Sequence, residues 1–180
     1  MAKERKLRGR AKRASYFAPA ASGGYVYTGP FYSQLPDQKL TWRQAMARRW
    51  AMGMAIGVLV ILCGCVPVQG MVNTAYVILP YAAEVVAAAS LVWAVCRIHS
   101  GGERLREYVY EAAVCRLPTR AVLTAVFAGV TLAGEAVSLF LDGLGGKSVL
   151  WVWVFLLSQA VILGMSLIWR RMEKGILWEK

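Results

Sequence analysis

The sequence predicts an all-α membrane protein, with four transmembrane helices in a bundle and amphipathic helices lying along the cytoplasmic interface. The first observation is composition. The chain has 180 residues and is 58% hydrophobic, with a mean hydropathy of +0.47, too apolar for an ordinary soluble domain. The second is length: residues 50–68, 75–96, 121–141 and 149–169 are apolar runs that approach or meet the ~20 residues needed to cross a hydrocarbon core. The third is the placement of charge. Of 21 Lys and Arg residues, eleven precede the first run, none lie between the first and second, five lie between the second and third, one lies between the third and fourth, and four follow the last. This alternation is the positive-inside pattern for an even number of spans with both termini in the cytoplasm. It predicts a multi-pass protein of a cytoplasmic membrane.

Residues 1–40 read as a cytoplasmic N-terminal tail and residues 41–180 as the membrane domain. Residues 1–15 carry seven basic residues and one acid, a composition expected to be disordered when free. Residues 16–36 are rich in Tyr, Phe, Gly, Ala and Pro and read as an extended or turn-containing segment. Thr41 and Gln44 match a capping box, so a helix is expected to begin there, directing Trp42, Met46 and Trp50 toward lipid and running into the first span. Pro67, Gln69, Gly70, Asn73 and Thr74 then break a long uncharged stretch into two helices joined by a tight outer turn.

After the second span, Ser100 and Glu103 fit another capping box, predicting a loop helix over about 102–116. Its stripe is Leu105, Tyr108, Val109 and Ala112, and Glu103, Glu107 and Glu111 form an acidic line that could receive the basic tail or face solvent. Pro118 suits the first turn of the third span. The second outer turn, residues 142–147, is as short as the first. Trp50, Trp93 and Trp169 fall toward the inner interface, and Tyr76, Tyr81, Phe140, Trp151 and Trp153 toward the outer one.

Glu84 and Glu135 are the only charges within the predicted spans. Intramembrane carboxylates cost several kcal/mol when ionised and lipid-facing, so they normally face the bundle interior. At ~1.5 Å rise per residue, Glu84, Glu135 and Gln159 lie about 14, 9 and 15 Å from the outer ends of their helices. Thr124, Thr131, Glu135, Ser138 and Asp142 share one face of the third span, beside a small-residue strip of Ala121, Ala125, Gly129 and Ala133 that permits close helix approach. The candidate site is therefore the intramembrane polar cluster Glu84, Glu135, Gln159, Thr131 and Ser138. Two readings stand: a cation, proton or small-substrate site, or carboxyls that fix helix pairing with Ser90, Thr131 or Gln159 as partners.

No nucleophile–base pair, metal-ligand spacing or nucleotide loop occurs, so the expectation is a non-enzymatic protein without a cofactor or metal. Gly146-Lys147-Ser148 resembles the end of a phosphate loop, but Leu141 stands where the first glycine belongs. Cys63 and Cys65 point to different faces of one helix and read as packing. The net charge of +11 lies at the termini and beside the spans, which favours anionic lipid headgroups over nucleic acid. The functional expectation is a membrane subunit or scaffold contacting a membrane-protein partner, lipid or further copies of itself. The alternative is a small oligomeric transporter or ion or proton carrier using Glu84 and Glu135.

Overall fold

A computed structural model describes residues 14, 16–19, 23–35, 40–144 and 146–179. The basic segment expected at residues 1–15 falls outside these apart from Ala14, as do parts of the 16–36 segment. Among the described residues, four helices are long and apolar enough to cross a membrane, and they pack together. The elements in chain order are β1 (Phe17–Pro19), β2 (Tyr25–Tyr27), β3 (Phe31–Gln34), α1 (Trp42–Gly64), α2 (Gly70–Asn73), α3 (Ala75–Gly101), β4 (Arg104–Arg106), α4 (Glu107–Val109), a π-helical turn (Tyr110–Val114), α5 (Leu117–Asp142), α6 (Val149–Lys174) and β5 (Trp178–Glu179).

The long helices extend beyond the apolar runs at ends whose polar turns find partners, whereas α1 stops at Gly64, short of the expected bound at residue 68, ahead of Pro67. The Thr41 hydroxyl accepts from the Gln44 amide at 3.4 Å, and the Gln44 side chain accepts from the Thr41 amide at 3.1 Å. Helix α1 thus starts eight residues before its apolar run. Met46 is buried rather than lipid-facing, and Trp42 packs against Trp178 at 6.2 Å, so this first turn is part of the protein core. Helices α3 and α5 end at Gly102 (φ 71°) and Gly143 (φ 63°), left-handed positions where a side chain would be strained.

Helix α5 is central, packing most extensively on α6 and α3, while α1 closes the ring against α3 and α6. The expected polar face of α5 turns inward: Thr124, Thr131, Glu135 and Ser138 are fully buried, and only Asp142 reaches the surface. Ala121 and Ala125 are buried beside them, whereas Ala133 is exposed. Gly134 instead makes the close approach, lying against the Tyr76 carbonyl of α3.

A small sheet gathers three distant segments at one end of the bundle. Its order is β4-β3-β5, both pairings antiparallel, with Tyr32 opposite Leu105 and Gln34 opposite Trp178. An aromatic layer supports it: Tyr32 stacks on Tyr110 at 4.3 Å, and Tyr110 meets Trp178 at 5.4 Å. A separate hairpin of β1 and β2 gathers around Tyr27, whose hydroxyl donates to the Pro30 carbonyl at 3.0 Å and accepts from the Glu107 amide at 3.2 Å. Burial raises the Tyr27 pKa, which keeps the phenol protonated for that donation.

This sheet changes the loop after α3. The Ser100–Glu103 box does not form, because α3 runs on through Gly101 and Ser100 Oγ bonds the Arg97 carbonyl at 3.1 Å. Residues 104–106 pair with β3, fully burying Leu105, and helix resumes only at Glu107. The π-helical turn then inserts one residue into the register, so Ala113 and Val114 are buried in place of Ala112. With Glu103 ahead of a strand and Glu107 buried, the three glutamates do not form one helical line.

Candidate functional site

The candidate site is a seam of polar side chains between α3, α5 and α6. Glu84, Thr131, Glu135, Ser138 and Gln159 are all 0% exposed. Their positions follow from local sequence: Glu84 stands one turn after Pro80 on α3, and Thr131, Glu135 and Ser138 fall at helical spacing on the inward face of α5.

The structure divides the seam into two parts. The Glu84 carboxyl faces the Gln159 amide and the Thr131 hydroxyl. Gln159 offers both a donor and an acceptor, so it can serve that carboxyl in either protonation state. Tyr81 closes this part by donating to the Val60 carbonyl at 2.7 Å, linking α3 to α1. The Glu135 carboxyl instead faces the Gly70 backbone amide, at the start of the short helix α2 that connects α1 to α3. Gly70 lies so close that a Cβ there would overlap a carboxyl oxygen. Buried Val66 and Val68 hold that connection in the bundle mouth. In neither part do the carboxyl oxygens reach hydrogen-bonding geometry, nor do Thr131 Oγ1, Ser138 Oγ and the Gln159 amide atoms.

Ser90 does not serve either carboxyl. Its hydroxyl bonds the Ala87 carbonyl at 2.7 Å, and its own carbonyl accepts from Arg120 at 2.6 Å. Cys63 is buried and Cys65 exposed, and among the described residues no three His, Cys, Asp or Glu side chains group to hold a metal ion.

A second buried polar group lies at the sheet end of the bundle, and the sequence reading did not identify it. Arg49 of α1 donates through Nε and an Nη to both oxygens of Glu173 on α6, each at 2.9 Å. Trp169 Nε1 also donates to Glu173, at 3.3 Å. Trp169 is fully buried, so its ring belongs to the bundle core. The available signal was that Arg49 and Glu173 each lie within one turn of an apolar run, where a helix continued past its run keeps them on the packed face.

Two features of the surface lie along α3. An apolar groove of about 400 Å³ lies between α1 and α3, lined by Gly57, Val60, Val85, Ala89, Val92 and Trp93 among others. A polar cavity of about 320 Å³ is lined by Arg97, Ser100, Gly101, Arg106, Tyr108 and Val109. No family model, curated protein or solved structure matches the chain.

Proposed function

We propose that this protein is a non-enzymatic subunit or scaffold of a cytoplasmic membrane, with both termini and the middle loop in the cytoplasm. The single observation that carries this reading is the sheet joining residues from the N-terminal segment, the middle loop and the C-terminal end. It supports a shared side for those three segments and gives the bundle a folded platform instead of loose loops. Beside it the β1–β2 hairpin presents Tyr25 and Val26 at 78% and 54% exposure, apolar surface suited to a membrane-protein partner or a second copy of the chain. The juxtamembrane charge supports anionic lipid over nucleic acid as a further contact.

The test is purification of the full chain from its native membrane with gentle detergent. A stoichiometric co-purifying protein or a homo-oligomer, lost in the Tyr25→Asp/Val26→Asp variant, supports the reading. A monomer without a partner in wild type contradicts it.

One observation favours a second reading, a small oligomeric transporter or ion or proton carrier. The carboxyls of Glu84 and Glu135 are fully buried without hydrogen bonds, an arrangement that costs several kcal/mol if charged and is common along ion paths. Proton or cation flux in reconstituted vesicles, abolished by Glu84→Gln or Glu135→Gln, would establish it over the scaffold.

A further inference from the structure

The apolar groove and the arginine cavity meet at one residue pair. Trp93 lines the groove, and Arg97, one turn later on α3, lines the cavity, with its guanidinium 5.3 Å from the Trp93 ring centre. The groove's α3 wall runs from Val85 to Cys96, about 16 Å at helical rise, and its other wall is Gly57, Val60 and Ile61 of α1. Gly57 and Ala89 are small, which is what hollows this surface. The cavity sits beyond the inner end of the groove and is lined by two arginines, Arg97 and Arg106, with Ser100 and Tyr108. One Arg106 Nη donates to the Tyr108 hydroxyl at 3.3 Å, and its guanidinium lies 5.4 Å from the Tyr27 ring centre. Arg97 Nε is buried without a hydrogen-bond partner. Arg120 adds a third positive charge at 4.9 Å from the same Trp93 ring, though its own donors are engaged by the Ser90 and Ala112 carbonyls.

An apolar channel leading to a cluster of arginines matches an amphiphile with an anionic head. We propose that this surface binds one anionic phospholipid. An acyl chain lies in the α1–α3 groove, Trp93 sits at the glycerol level, and the phosphate is received by Arg97 and Arg106. The inference rests on the reading of the four helices as membrane spans. Aromatic rings at the headgroup level and arginine at a phosphate are the ordinary chemistry of such sites.

The experiment uses the full chain in detergent, with native mass spectrometry to count retained lipid during titration with dioleoyl phosphatidylglycerol or dioleoyl phosphatidylcholine. The expected result is one retained phosphatidylglycerol, bound in preference to phosphatidylcholine. Arg97→Gln should weaken it about fivefold, the change for one basic residue near an anionic surface. Ala89→Phe, at an exposed position that fills the groove without disturbing the core, should weaken it comparably with both arginines intact. Arg171→Gln, on an exposed position of α6, should leave it unchanged. Equal retention of the two lipids, or no change in Arg97→Gln, overturns the proposal. So does glycerol phosphate binding as tightly as the lipid with no response to Ala89→Phe, since that marks a free phosphate site. Flotation with phosphatidylcholine vesicles separates the two claims: a chain that floats without lipid preference fails this proposal alone, whereas one that never floats fails the membrane reading too.

Discussion

Arg49 and Glu173 stand 124 residues apart in sequence and form a two-armed ion pair, 2.9 Å in each arm, buried between the first turns of α1 and the last turn of α6. Their side chains are only 2% and 5% exposed. The pair closes the bundle ring where the first and last long helices meet. Trp169 holds the carboxylate from a third direction, and the Arg49 guanidinium lies 5.8 Å from the Trp178 ring centre.

Removing one member leaves the other charge buried without compensation. Arg49→Ala or Glu173→Ala should each cost about 3–5 kcal/mol. The double replacement Arg49→Ala/Glu173→Ala should cost much less than the sum. Denaturant unfolding in detergent, read as a double-mutant cycle, measures the difference. Additive losses would mean that the two side chains do not act as a unit.

Gly70 makes the second sharp contact. A methyl group there would overlap the Glu135 carboxyl and press on Val77, so Gly70→Ala should destabilise by about 1–3 kcal/mol. Glu135→Ala in the same chain should recover part of that loss by opening space. Thermal unfolding of the four variants checks it. Equal melting of wild type and Gly70→Ala would mean that the α1–α3 connection is not seated against α5.

The aromatic layer predicts a local effect. Trp178→Ala removes ring contacts to Trp42 and Tyr110, each worth about 0.5–1.5 kcal/mol. Hydrogen exchange should quicken at the Leu35 and Glu107 amides, which bond the Leu177 and Pro30 carbonyls, while the amides of α5 stay protected. Uniform quickening throughout the bundle would place Trp178 in the global core instead.

These contacts show why part of the molecule was legible and part was not. The four long helices were legible because a run of about 20 apolar residues states its own structure. The inward face of α5 followed from helical spacing alone, since Thr131, Glu135 and Ser138 recur at three- and four-residue intervals. The partners of those residues did not follow. That Glu84 meets Gln159 while Glu135 meets Gly70 depends on helix rotation and on a connection folded into the bundle mouth. The sheet was the least legible feature. Strands of two to four residues leave no periodic signal, and the pairing of Tyr32 with Leu105 and of Gln34 with Trp178 is a long-range choice. It also overrode the helical stripe that began at Leu105. The Arg49–Glu173 pair was hidden because charges just outside an apolar run read as solvated ends until the helices are seen to continue.

The most direct test of the whole account is sidedness. Single cysteines at Lys147, Glu103 and Glu179, in a chain whose native cysteines are replaced, are probed with a membrane-impermeant maleimide on intact cells. The account predicts labelling of position 147 on intact cells and of positions 103 and 179 only after permeabilisation. Labelling of 147 on the same side as the other two, or of 103 and 179 on opposite sides, would contradict it.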